Sequence, residues 1–187
     1  MATRPKDEAQ ADLGWRAHLI EDAIFELIDE LWGNATRRDE ILDAYDWDSD
    51  PQISQVHIAK EHHPEWENAN LDLEFVIQAD DTDFVELHQK DYLRQRGANI
   101  YRKFVSVTPV FIKCISENSE HSHMAAAEVA IRLREVDIRI ERDNNWRSFD
   151  VPGYKAPKSM NEGGGPPYVS MVPIRVETDM DSILPAR

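Results

Sequence analysis

Cysteine is almost absent: Cys114 stands alone in 187 residues. That excludes an internal disulfide framework and any zinc site built from several cysteines. Set among β-branched residues, Cys114 is expected to be a small buried hydrophobe of a strand. Long apolar runs are lacking too. None approaches the roughly 18 residues that span a bilayer, so no membrane partner is expected. The polar opening MATRPKDEAQADLG has no apolar stretch of the kind a signal peptide needs. Lysine is scarce, seven against 14 arginines, whereas 36 acidic residues leave a net charge of −15. Acid excess with little lysine suits a chain kept soluble in concentrated salt, where repulsion is screened, and points to a halophilic source. No large basic surface remains to neutralise phosphates, which argues against strong nucleic-acid binding.

What is present reads as one globular domain. Hydrophobic residues make up 41% of the chain, and its length suffices for a single core. The charge is uneven. Residues 1–93 carry 24 acidic and 7 basic groups, net −17, and residues 94–187 carry 12 and 14, net +2. Either the two halves form complementary surfaces of neighbouring subunits, or the first half simply holds more exposed loops.

The chain is organised around residues 100–140. Ile100–Ser116 is rich in β-branched and aromatic residues and reads as a long strand. A polar turn, Glu117–Ser122, leads to a helix starting near His123. There Ala126, Val129, Leu133, Val136 and Ile140 step by three and four, and Met124, Ala127, Ile131 and Ile138 form a second apolar stripe. A helix apolar on two sides is expected to be buried on two sides, against its own sheet and against a neighbouring subunit. Helix is expected through Glu135. Residues 136–142 stay open, because Val136, Ile138 and Ile140 also alternate as in a strand.

Before this unit, residues 1–11 read as a flexible tail. Leu13, Ala17, Ile20, Ile24, Leu27 and Leu31 predict a helix over Leu13–Trp32, stopped by Gly33-Asn34. Thr36–Tyr45 adds a short helix and Ile53–Ala59 a short strand. In Leu71–Ala79, Leu71, Leu73, Phe75 and Ile77 alternate with Asp72, Glu74, Val76 and Gln78, so one buried face is expected. Residues 80–100 form an extended hairpin arm or loop, and 149–167 a loop. Tyr168–Thr178 is the last strand, and Pro173 places it at an edge or a bulge. The fold class is α+β: a mostly antiparallel sheet packed against an N-terminal helix and one central helix.

No catalytic signature stands out. DWDSDP at 46–51 lacks the glycine and terminal glutamate of a calcium loop. Gly163-Gly164-Gly165 has no following helix and no Lys-Ser/Thr, so it is no phosphate cradle. Of the histidines, His62-His63-Pro64 does not fit a metal-binding helix, and His121 and His123 sit two apart, poor ligand geometry. No metal, no cofactor and no catalytic residue is therefore assigned; a small metal-dependent hydrolase using residues 57–63 is the alternative from the enzyme class, and a regulatory interaction domain a third. The basic cluster Arg94, Arg96, Arg102 and Lys103 is either a solvated loop or a contact to an acidic face such as Asp80, Asp81 and Asp83 of another subunit. With Ile131 and Ile138, these are the candidate interface residues.

The order of elements, with VTPVFIKCISENSEHSHMAAAEVAIRLRE and the final YVSMVPIRVET carrying Tyr168, Ile174 and Val176, resembles the tail terminator proteins of long-tailed viruses. The resemblance covers about a third of the chain. It implies a non-enzymatic virion subunit without cofactor, assembled in the host cytoplasm into a homohexameric ring. Such a ring ends the tail tube and contacts the tail tube protein on one side and a neck or head-completion protein on the other. DNA passes through it without specific binding. Another head–tail connector, an adaptor or stopper, is the alternative within the class. With the acidic, lysine-poor composition, the resemblance points to a tailed virus of a halophilic archaeon.

Overall fold

The computed structural model describes residues 6–44, 56–60, 72–86, 94–96, 99–144 and 146–185. Helix α1, Lys6–Ile28, runs into a single π-helical turn, Asp29–Gly33, and then helix α2, Ala35–Ala44. Strands β1 (Val56–Ala59), β2 (Leu73–Ala79), β3 (Asp83–Glu86), β4 (Arg94–Arg96) and β5 (Asn99–Ser116) follow. Helices α3 (Ser119–Glu135) and α4 (Asp137–Asn144) then precede β6 (Ser148–Asp150), β7 (Lys155–Ser159) and β8 (Tyr168–Pro185). The class is α+β.

The sheet is built on a two-strand spine. β5 and β8 pair antiparallel along their whole length, from Asn99↔Pro185 to Ser116↔Tyr168. The other edge of β5 carries β2, then β3, then β4. The other edge of β8 carries β7 and then β6. The β1–β2 pair is parallel and the remaining pairs are antiparallel. Each flanking row breaks where the spine has a proline. Between β2 and β3 the chain turns opposite Pro109, whose carbonyl accepts from the Asp80 amide at 2.9 Å. Between β6 and β7 it leaves the ladder opposite Pro173, since β6 reaches Arg175 and β7 reaches Met171. A proline has no N–H to lose, so a ladder interrupts there at little cost.

Helices α1 and α3 cover one face of this sheet. Ile20, Ile24, Ile28 and Trp32 are buried with Phe75 and Ile77 of β2, and the Trp32 and Phe75 rings lie 5.2 Å apart. From α3, Ala126, Val129, Ala130 and Leu133 join the same core as Val110, Ile112, Cys114, Val172, Ile174 and Val176. Polar contacts lock both helices down. Glu21 of α1 accepts from the Ala79 amide at 2.6 Å. The buried Ser122 hydroxyl lies 2.8 Å from the Cys114 carbonyl and 2.9 Å from the Ser170 hydroxyl. Having one proton, it donates to the carbonyl and accepts from Ser170.

Several expectations are corrected. Residues 6–11 are helical and belong to α1, not to a tail. Helix α3 starts at Ser119, four residues before His123, because the Asn118 side chain caps it by accepting from the Glu120 amide at 2.8 Å. Residues 137–144 are helical, with the Ile140 amide bonded to the Val136 carbonyl. β2 is buried on both faces over Leu73–Ile77, Glu74 included: Leu73, Phe75 and Ile77 join the core under the helices, and Val76 packs with Ile115 and Val169 on the other face. The stretch 149–167 holds β7. β8 continues past Thr178 to Pro185, paired with β5 throughout, while its other side carries β7 up to Met171 and β6 from Arg175 and no described strand opposite Pro173. In the triple glycine, Gly164 adopts φ +80° and its amide bonds to the Asn161 carbonyl at 3.0 Å, the geometry of a turn tip. The acidic loop 46–51 lies outside the described residues.

Candidate functional site

Residues of a strand alternate between faces, and the burial of the spine shows which face is which. Ser106, Thr108, Val110, Ile112 and Cys114 of β5 are buried beneath the helices. Val107, Pro109, Phe111 and Lys113 point the other way and are half-buried, as are Met171 and Pro173 beside them on β8. At the two proline breaks this second face opens into a cleft of about 440 Å³, lined by Val85, Val107, Pro109, Phe111, Pro152 and Pro173, with Asp83 and Arg175 at its rim. The walls are mostly apolar. The floor is the spine itself, and Pro152 of the β6–β7 connection contributes to the wall. Pro152 is held in place from the helix layer: Arg134 of α3 donates to the carbonyls of Val151 and Pro152, each at 2.7 Å.

The opposite side of the domain carries the outer surface of α3 and α4. Ile131 is 49% exposed and Ile138 77%. Both belong to the second apolar stripe of the central helix. Its first member, Met124, is buried and Ala127 is half-buried, so within one chain the stripe runs from the core out to solvent instead of being covered along its length. Ile131 stands on the outer side of α3, and past the break at Val136 helix α4 buries Ile140 and leaves Ile138 outside. Around these isoleucines Arg132 is tied to Glu128 at 2.7 Å and Glu135 at 3.1 Å. The bond from the buried Glu128 pushes the Arg132 guanidinium above its ordinary value, so it stays charged. Arg139 has no ion-pair partner among the described residues.

The expected interface residues fall into three groups. Asp80 and Asp81 sit in the β2–β3 turn and Asp83 opens β3, all exposed, with no cationic partner among the described residues. Arg94 and Arg96 lie on β4, and Arg102 and Lys103 on β5 opposite Ser182 and Asp181. These basic residues sit further along the spine: Asp83 is opposite Val107, so Lys103 and Arg102 are about 13–17 Å away along the strand. The acidic and basic groups of one chain are therefore not brought together. Ile131 and Ile138 form the third group, on the helix side. The cleft was missed by the sequence reading. Its signal was there in β5, whose apolar residues occupy both parities, the pattern of a strand that needs cover on two faces.

Of the histidines, His57 lies on β1 opposite Glu74, while His62, His63 and His88 lie outside the described residues. His121 is 2% exposed at the start of α3, and burial lowers its pKa while Asp72 and Glu120 oppose the shift. His123 is exposed, edge-on to Tyr154 with the ring nitrogen 3.3 Å from the phenol oxygen. Among the described residues no group of three His, Cys, Asp or Glu is placed to hold a metal ion, and no helix is long and apolar enough to cross a membrane. Cys114 is fully buried, and burial pushes its thiol far up, which removes it as a nucleophile. No known protein family matches the chain and no curated protein matches its sequence.

Proposed function

We propose that the chain is a structural subunit that closes into a ring, of the tail terminator type that its sequence resembles. In that role it ends a virion tail tube and joins it to the neck, touching the tail tube protein on one side and a neck or head-completion protein on the other. It performs no catalysis and carries no cofactor. DNA passes through the ring without specific binding, and the source is a tailed virus of a halophilic archaeon. One observation carries the reading: the domain leaves apolar surface on two opposite sides, the cleft on the sheet face away from the helices and Ile131 with Ile138 on the helix face. Two unlike surfaces on opposite sides suit head-to-tail contacts, and such contacts close into rings when the rotation per subunit divides a full turn.

The spine adds to this. Eighteen residues of β5 span about 60 Å, whereas the 17 residues of α3 span about 26 Å. A ribbon that outruns its helix layer is an arm, and an arm bearing Arg94, Arg96, Arg102 and Lys103 can reach a neighbour or the next tier of an assembly. Light scattering of the purified chain tests the reading. Six copies of 21.6 kDa give a particle of roughly 130 kDa, and negative-stain images should show a central hole. A 21.6 kDa monomer at every salt concentration from dilute buffer to molar potassium chloride would end the proposal.

A further inference from the structure

We infer that the ring contact is a knob and a hole: Ile138 of α4 on one copy seats in the sheet-face cleft of the next copy. The inference rests on the ring reading and specifies its interface. Ile138 is the most exposed large apolar side chain among the described residues, at 77%. It stands on a short helix anchored from below by the buried Ile140, so it is presented rigidly. The cleft is an open apolar trough with Val85, itself 49% exposed, on its lip. A single isoleucine and its helix fill such a trough without rearrangement of the spine.

Charge selects a second copy as the occupant. Asp83 stands at the cleft with no cationic partner among the described residues, whereas Arg175, which also lines it, is paired with Glu177 at 2.8 Å. Beside Ile138 stand Arg139 and Arg142, both exposed, of which Arg142 has the adjacent Asp143 and Arg139 has no described partner. The knob thus brings Arg139 to the Asp83 carboxylate, and the apolar contact is flanked by opposite charges. Cleft and knob lie on opposite sides of the sheet, so one copy offers its knob forward and its cleft backward. A two-fold dimer needs one patch that matches itself, whereas this pair matches only head to tail.

Two exposed positions test it without touching the core. Ile138→Asp removes the knob and Val85→Arg fills the hole and repels Arg139. Each variant alone should remain monomeric at concentrations roughly tenfold or more above those at which the unaltered chain is assembled. An equimolar mixture of the two should form a heterodimer and nothing larger, because one intact knob and one intact hole remain between them. Light scattering and native mass spectrometry read both results, and circular dichroism checks the fold. The charge pair gives an independent measurement: Asp83→Arg and Arg139→Asp each weaken the ring at low salt, and the double variant restores it. If the unaltered chain forms rings and both exposed-site variants still do, this contact is wrong while the ring stands. If both variants are monomeric and their mixture stays so, the two surfaces do not meet each other. A monomeric unaltered chain removes the ring and this contact together.

Discussion

Ser122 and His121 sit side by side at the start of α3, both buried, and they illustrate two ways a polar side chain survives there. Ser122 satisfies its hydroxyl completely, bridging the Cys114 carbonyl of β5 and the Ser170 hydroxyl of β8, and so pins the helix over the spine. His121 survives by staying neutral. Its folded pKa lies below the ordinary 6.5, with burial as the leading cause. The unfolded chain then binds more protons than the folded one in the window below 6.5, so stability falls as pH drops through it and is fully present above it. Urea unfolding at pH 5 and pH 7.5 should show a loss of stability on acidification that shrinks in His121→Gln. An identical loss in the variant would mean that the carboxylates alone carry the acid sensitivity.

At the scale of elements, α3 is defined by its ends. Asn118 supplies the N-cap and Arg132 and Arg134 lie in the last turn, where cations complement the helix dipole. Asn118→Ala should cost about 1 kcal/mol in chemical denaturation, and Asn118→Asp should cost little, since an aspartate caps equally well and favours the N-terminus. Equal losses in the two variants would show that the cap contributes nothing and that packing alone starts the helix. This start was not legible in the sequence, because Ser119-Glu120-His121-Ser122 reads as a polar turn, whereas two of its members, His121 and Ser122, are buried. The end was equally ambiguous. Val136, Ile138 and Ile140 alternate as in a strand, yet Ile140 is buried while Ile138 is exposed, which a strand with all three on one face would not give. The segment takes the helix that satisfies its own backbone and buries Ile140.

For the whole molecule, charge sets the conditions of stability. A net charge of −15 on 187 residues repels itself within the compact state, and salt screens that repulsion with a Debye length of about 10 Å at 0.1 M and about 3 Å at 1 M. The thermal midpoint should therefore rise between 0.1 M and 2 M potassium chloride, and the chain should unfold at very low salt and recover when salt is restored. A midpoint that is flat or falls across that range would remove the halophilic assignment. In the proposed ring the same screening would weaken the Asp83–Arg139 contact and leave the apolar part of the knob, so such a ring should lose its charge dependence in strong salt before it loses its integrity.

The sequence by itself determined the elements whose pattern is long and local. The four-residue steps of α1, the β-branched run of β5 and the last strand before β8's extension all follow from periodicity over ten residues or more, and so does the α+β class. It also determined that Cys114 is interior. Only the tertiary structure decided what those elements leave uncovered. Whether Val107, Pro109 and Phe111 face a helix or an open cleft depends on which side α1 and α3 pack, and that choice is made between residues far apart in the chain. Likewise Ile131 and Ile138 belong to an apolar stripe in the sequence, but Ile131 stands on the outer side of α3 and Ile138 on that of α4. Burial is a property of neighbours in space, and a one-dimensional pattern records the need for a partner without saying whether the partner is the same chain or the next.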